Sequence, residues 1–170
     1  YGPHYRMSLE QLREARNWVD EHFTFILPAE GDWRLESLLK LFENVVRRKG
    51  VRNIVLDPWN EISHVRTTNG DGSETDAINA ELSKIKRFGQ SQDVVTWVVA
   101  HPTKMRSFTG NDGSEQFPVP KLYDISGSAH FANRADFGLA VHRDITKSDK
   151  QGYQNFLEVH VHKARWKEQG

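Results

Sequence analysis

Leu9, Leu12, Ala15, Trp18 and Val19 recur at the spacing of one helical face, behind Ser8 with Gln11 three positions on. That pattern predicts a helix to about residue 20, opened by a capping box. The same period returns over about 33–49, where Leu35, Leu38, Leu39, Leu41, Phe42, Val45 and Val46 form a wide apolar stripe. Gly50 is a suitable stop for it. A third helix is predicted over about 74–90, with Ile78, Leu82, Ile85 and Phe88 inward, and a short one near 128–134. Between the helices the period collapses into short continuous apolar runs. Residues 22–28 read as a strand ended by Pro28. Ile54-Val55-Leu56 runs into Asp57 and Pro58, and Val94–Val99 runs into Ala100, His101 and Pro102. Such runs, closed by a breaker, predict strands over 51–57 and 93–100 that are buried on both faces. Strands over 138–142 and 156–162 complete the order β-α-β-α-β-α-β-β. That order predicts an α/β domain whose central sheet is mostly parallel and flanked by helices. The polar stretches 62–73 and 103–120 are predicted loops, and loops of that length tend to be functional.

Composition adds bounds. The chain has 170 residues, enough for one domain with a sizeable core. Its 23 basic and 23 acidic residues balance, so net charge points neither to nucleic acid nor to membrane. The absence of cysteine excludes disulfides and cysteine-based zinc sites, and is compatible with a reducing compartment. No apolar run reaches membrane-spanning length.

Asp57 is expected at the carboxyl end of its strand, where open α/β sheets bind ligands. An acid there can hold Mg²⁺ through water beside nucleotide phosphates, or can simply open a turn before proline. His101 ends the next strand, on the same expected edge. Its imidazole can report a terminal phosphate or cap the strand locally. Ser126-Gly127-Ser128 precedes the short helix, where backbone amides suit an anion, although such triplets are also common in plain turns. Lys163 and Arg165 stand two apart after the last strand and so project from one face. Two cations there suit polyphosphate oxygens, or form a solvated basic strand end. His160 and His162 share that strand, with no third metal ligand evident, so they are expected to be structural. Lys104, Arg106 and Lys121 flank the longer loop, and His64 and Arg66 lie at the shorter one. Loops of one edge carrying basic residues can track a nucleic-acid backbone or be ordinary solvated loops. No G-x-x-x-x-G-K-[ST] or G-x-G-x-x-G motif occurs.

Taken in order, these motifs resemble the RecA-like ATPase core of hexameric replicative helicases of the DnaB family, including phage primase-helicases and the Twinkle type. The resemblance runs from about His22 to Gly170. Ile54–Asp57 resembles the Walker B strand, which implies that Asp57 coordinates Mg²⁺ through water. Val98-Val99-Ala100-His101-Pro102-Thr103-Lys104 resembles the motif whose Gln or His senses the γ-phosphate of ATP, which implies that role for His101. Asp124-Ile125-Ser126-Gly127-Ser128 with Asn133, Ala135 and Asp136 resembles the segment after the second DNA-binding loop, and implies that Gly127 and Ser128 lie near nucleotide. Val161-His162-Lys163-Ala164-Arg165 resembles the K-x-R ending, with Arg165 as the arginine finger and Lys163 beside it. The family's Walker A loop and catalytic glutamate are missing. The expectation is therefore that residues 1–170 are the C-terminal portion of a RecA-like helicase domain. It would act in a hexameric homo-oligomeric ring on single-stranded DNA, with Arg66, Lys104, Arg106 and Lys121 as DNA contacts. The cytoplasm of a bacterial or phage-infected cell is the expected location. Two other readings stay open: a different RecA-like ATPase, such as a recombinase or plasmid replication protein, or a non-catalytic RecA-like module for DNA binding or assembly.

Overall fold

The computed structural model describes residues 6–28, 33–62, 74–110, 113, 115–125, 128–142, 148–149, 152–153 and 157–166. The chain divides into two compact units, Tyr1–Gly31 and Asp32–Gly170.

The first unit carries helix α1 (Leu9–His22). The capping box forms: Gln11 N–H donates to Ser8 Oγ at 3.2 Å, and Ser8 N–H donates to Gln11 Oε1 at 2.9 Å. At the other end Phe23 N–H caps Val19 C=O at 2.8 Å. Trp18 stacks on His22, whose Nδ1–H reaches the Trp18 carbonyl at 2.8 Å. Residues 23–28 are irregular rather than the expected strand. A strand exists only through ladder partners, and no described segment supplies one.

The second unit opens with α2 (Leu35–Lys49), which buries Leu35, Leu38 and Phe42. Gly50 ends it at φ 66°, the left-handed conformation that glycine adopts without penalty, and its N–H closes on Val46 C=O at 2.9 Å. Strand β1 (Asn53–Leu56), helix α3 (Glu74–Gln92) and strand β2 (Val95–Val98) follow. β1 and β2 pair in parallel, Asn53 against Val95 through Leu56 against Val98. α3 buries Ile78, Leu82 and Ile85 in the same core, and Lys84 on it pairs with Glu36 on α2. Strands β3 (Phe108–Thr109) and β4 (Glu115–Gln116) make a small antiparallel hairpin within the expected loop. Helix α4 (Ser128–Arg134) and strands β5 (Phe137–His142), β6 (Ser148–Asp149), β7 (Gly152–Tyr153) and β8 (Glu158–Ala164) complete the chain. β5 and β8 pair antiparallel with a register shift between Gly138 and Leu139.

The architecture is mixed helix and strand, as the α/β class requires. Two expectations change. Where a mostly parallel sheet was expected, the described residues form one parallel pair of strands and three antiparallel pairs. The β1 strand is buried on one face rather than two. Ile54 and Leu56 are buried, whereas Val55, Val95 and Trp97 are exposed. Alternate side chains of a strand point to opposite faces, and among the described residues only the Ile54/Leu56 side of β1 is buried. Residues 63–73, including His64 and Arg66, lie outside the described residues.

Candidate functional site

Asp57 directly follows β1, and Pro58 after it is joined by a cis bond. The chain then turns into a short 3₁₀ segment, Trp59–Glu61. Trp59 anchors that turn. It is 3% exposed and meets Phe131 of α4 edge to face, with centroids 5.5 Å apart. Its backbone N–H donates to Val99 C=O at 2.7 Å, just after Val99 N–H has donated to Leu56 C=O at 2.9 Å. One residue further, Asn60 Oδ1 accepts the backbone N–H of His101 at 2.9 Å. The ends of β1 and β2 are thus stitched together by three hydrogen bonds, and Asp57 and His101 emerge from one edge. Both side chains are exposed, and neither is engaged by another described residue.

The β2 edge continues into the basic segment. Thr103 donates both its N–H (2.7 Å) and its Oγ1–H (2.9 Å) to Asp124 C=O, and Pro102 bridges Ile125. Asp124 Oδ2 in turn accepts the N–H of Lys121 at 2.6 Å. Lys104 and Lys121 therefore sit on backbone segments that meet at this junction, with Arg106 two residues on, and all three are exposed. Ser126 and Gly127, expected beside a nucleotide, lie outside the described residues, as does the side chain of Ser128.

Lys163 turns back onto α4, and Arg165 onto the α4–β5 junction. Lys163 Nζ donates to Ala132 C=O at 2.6 Å and is half-buried. Arg165 Nη1 pairs with Asp136 Oδ1 at 2.6 Å, and Lys86 Nζ of α3 reaches the same oxygen at 2.9 Å. Burial raises the Asp136 pKa. The hydrogen bonds from Arg165 and then Lys86 outweigh it and hold the carboxyl below the usual carboxylate range. His160 stacks on His162 and reaches Glu158 at 2.9 Å, and His162 Nε2–H donates to Pro120 C=O at 2.9 Å. Among the described residues no group of three or more His, Asp or Glu could hold a metal ion.

Asn60 and Lys86 were not among the candidates, and Asp136 entered only as part of the segment resembling the family's. Asn60 meets His101 across 41 positions and Asp136 meets Arg165 across 29. Neither spacing leaves a local pattern. The Ala135-Asp136 pair within the resembling segment was the available signal.

Asp57 and His101 thus share one strand edge. No family model matches the chain. The chain is 37% identical over 171 residues to the Twinkle homolog protein, chloroplastic/mitochondrial, of Arabidopsis thaliana. That match covers 97% of this chain and 22% of the relative. The similarity supports the helicase family that the motifs resemble. By its name the relative is an organellar plant protein, so the comparison lends nothing to the expected bacterial or phage cytoplasm. No helix among the described residues is long and apolar enough to cross a membrane.

Proposed function

We propose that residues 1–170 are the C-terminal portion of the RecA-like domain of an ATP-dependent replicative DNA helicase. The observation that carries this reading is the 37% identity across nearly the whole chain. The paired strand ends that bring Asp57 and His101 to one edge support it. ATP lies between subunits of a homo-oligomeric, hexameric ring. One subunit offers Asp57 and His101, with Gly127 and Ser128 near the nucleotide, and the next offers Lys163 and Arg165. The exposed carboxylate of Asp57, which no other described residue engages, fits a water-mediated hold on Mg²⁺, which would neutralise phosphate charge when bound. His101, whose backbone N–H donates to Asn60 Oδ1, senses the terminal phosphate through its imidazole. Arg66, Lys104, Arg106 and Lys121 follow the single-stranded DNA backbone, giving salt-sensitive binding.

The test is DNA-stimulated ATPase activity of the full-length protein, wild type against Arg165→Ala. Loss of about a thousandfold or more in rate, with ATP still bound, is expected of an arginine finger. A mutant matching wild type would reduce Lys163 and Arg165 to a basic strand end. One observation favours a second reading, a non-catalytic module: both cations already have partners within the chain. Under that reading the full-length wild type hydrolyses no ATP.

A further inference from the structure

Asp136 engages Arg165 twice, with its carboxylate oxygen on Nη1 at 2.6 Å and its carbonyl on the Arg165 backbone N–H at 2.9 Å. Lys86 on α3 grips the same carboxylate oxygen at 2.9 Å and also reaches the Arg134 carbonyl at 3.3 Å. The carboxylate is therefore fixed from the helix side while it fixes the arginine from the strand side. An arginine at an exposed strand end otherwise samples many rotamers. Here Arg165 is 51% exposed, and only Nη1 is committed to Asp136. A guanidinium carries five donors in a rigid plane, so one anchored nitrogen sets the orientation and leaves donors for a second anion.

We infer that Asp136 is a positioning residue, which holds the Arg165 guanidinium in place for the neighbouring subunit's phosphates, with Lys86 steadying the carboxylate. The inference rests on the intersubunit role proposed for Arg165. It is tested by kcat and KM for ATP in the DNA-stimulated reaction of the full-length protein, using Asp136→Ala, Asp136→Asn, Asp136→Glu, Arg165→Ala and the Asp136/Arg165 double variants. Misplacing a catalytic group lowers kcat by about ten- to a hundredfold, so that loss is expected for Asp136→Ala with KM little changed. Asp136→Glu, which keeps the charge, recovers part of it. In the Arg165→Ala background, replacing Asp136 lowers the rate no further, because no guanidinium remains to be placed. If the alanine variant does not fold, the isosteric Asp136→Asn carries the same cycle. Equal losses in both backgrounds mark a general structural role and overturn the inference, as does an unchanged kcat in Asp136→Ala beside an inactive Arg165→Ala. Either result leaves the intersubunit site standing. A fully active Arg165→Ala overturns both.

Discussion

Trp59 is the side chain on which the Asp57 turn rests, and its removal makes a quantitative test of the fold at the site. It is 3% exposed and packs edge to face on Phe131, itself 7% exposed. A buried Trp covers roughly 150–250 Å², so at about 25 cal/mol per Å² its burial contributes about 4–6 kcal/mol as an upper figure. Large-to-alanine substitutions in cores cost about 3–5 kcal/mol. The edge-to-face contact contributes about 0.5–1.5 kcal/mol beyond area. Trp59→Ala is therefore expected to destabilise the chain by about 3–5 kcal/mol, much of the stability of a typical domain. Trp59→Phe keeps a ring against Phe131 and should recover more than half of that. The assay is urea unfolding followed by far-UV circular dichroism, which does not depend on the tryptophan removed. The cycle is completed with Phe131→Ala and the double variant. A coupling of about 1 kcal/mol is expected between the two rings. A Trp59→Ala variant within about 0.5 kcal/mol of wild type, the range of ordinary surface changes, would refute the packing argument.

Three further outcomes are expected. Glu36 is held below its ordinary pKa by the hydrogen bond from Lys84, and Asp136 by Arg165 and Lys86 against burial. Carboxyls whose folded pKa is depressed contribute stability above their unfolded values, and that stability is lost as pH falls through the folded ones. Urea midpoints measured downward from pH 5 should decline as pH drops below the ordinary carboxyl values of 4.5 and 3.8. Both pairs are partly exposed, so each contributes under about 1 kcal/mol, and a Glu36→Gln variant should show a shallower decline. A Cβ on Gly138 would run into the Leu122 side chain, which would have to shift. Gly138→Ala should cost about 1–3 kcal/mol by calorimetry, and Leu122→Ala in the same chain should return part of it. Gly50→Ala should cost about 1 kcal/mol in denaturant titration, because its φ of 66° is unfavourable for alanine.

The helices were legible because their signals are local. Ser8 with Gln11, the Leu35–Phe42 stripe with Gly50, and the short helix at Ser128–Arg134 all state their periods and ends within a few residues. The strands were legible as runs and misread in their surroundings. Val55, Val95 and Trp97 have the composition of a two-sided strand, yet composition does not say which neighbour covers which face. Residues 22–28 failed for a related reason: aromatic and β-branched residues favour a strand only where a partner strand exists.

The candidate site divides along the same line. Asp57 and His101 could be picked out because each terminates an apolar run, a feature visible one residue at a time. What brings them to one edge is the parallel register of β1 and β2, Leu56 against Val98, and the bonds from Trp59 to Val99 and from Asn60 to His101. Slipping that register by one residue would turn Ile54 and Leu56 out of the core, so their burial fixes the alignment of the two strand ends. Burial of two aliphatic residues thereby sets the placement of two polar ones. Asp136 and Lys86 follow the same logic. Their meeting with Arg165 depends on α3, the α4–β5 junction and β8 arriving together. The chemistry-bearing residues stand at ends that a sequence announces, and the residues that hold them stand wherever the packing of the core delivers a partner.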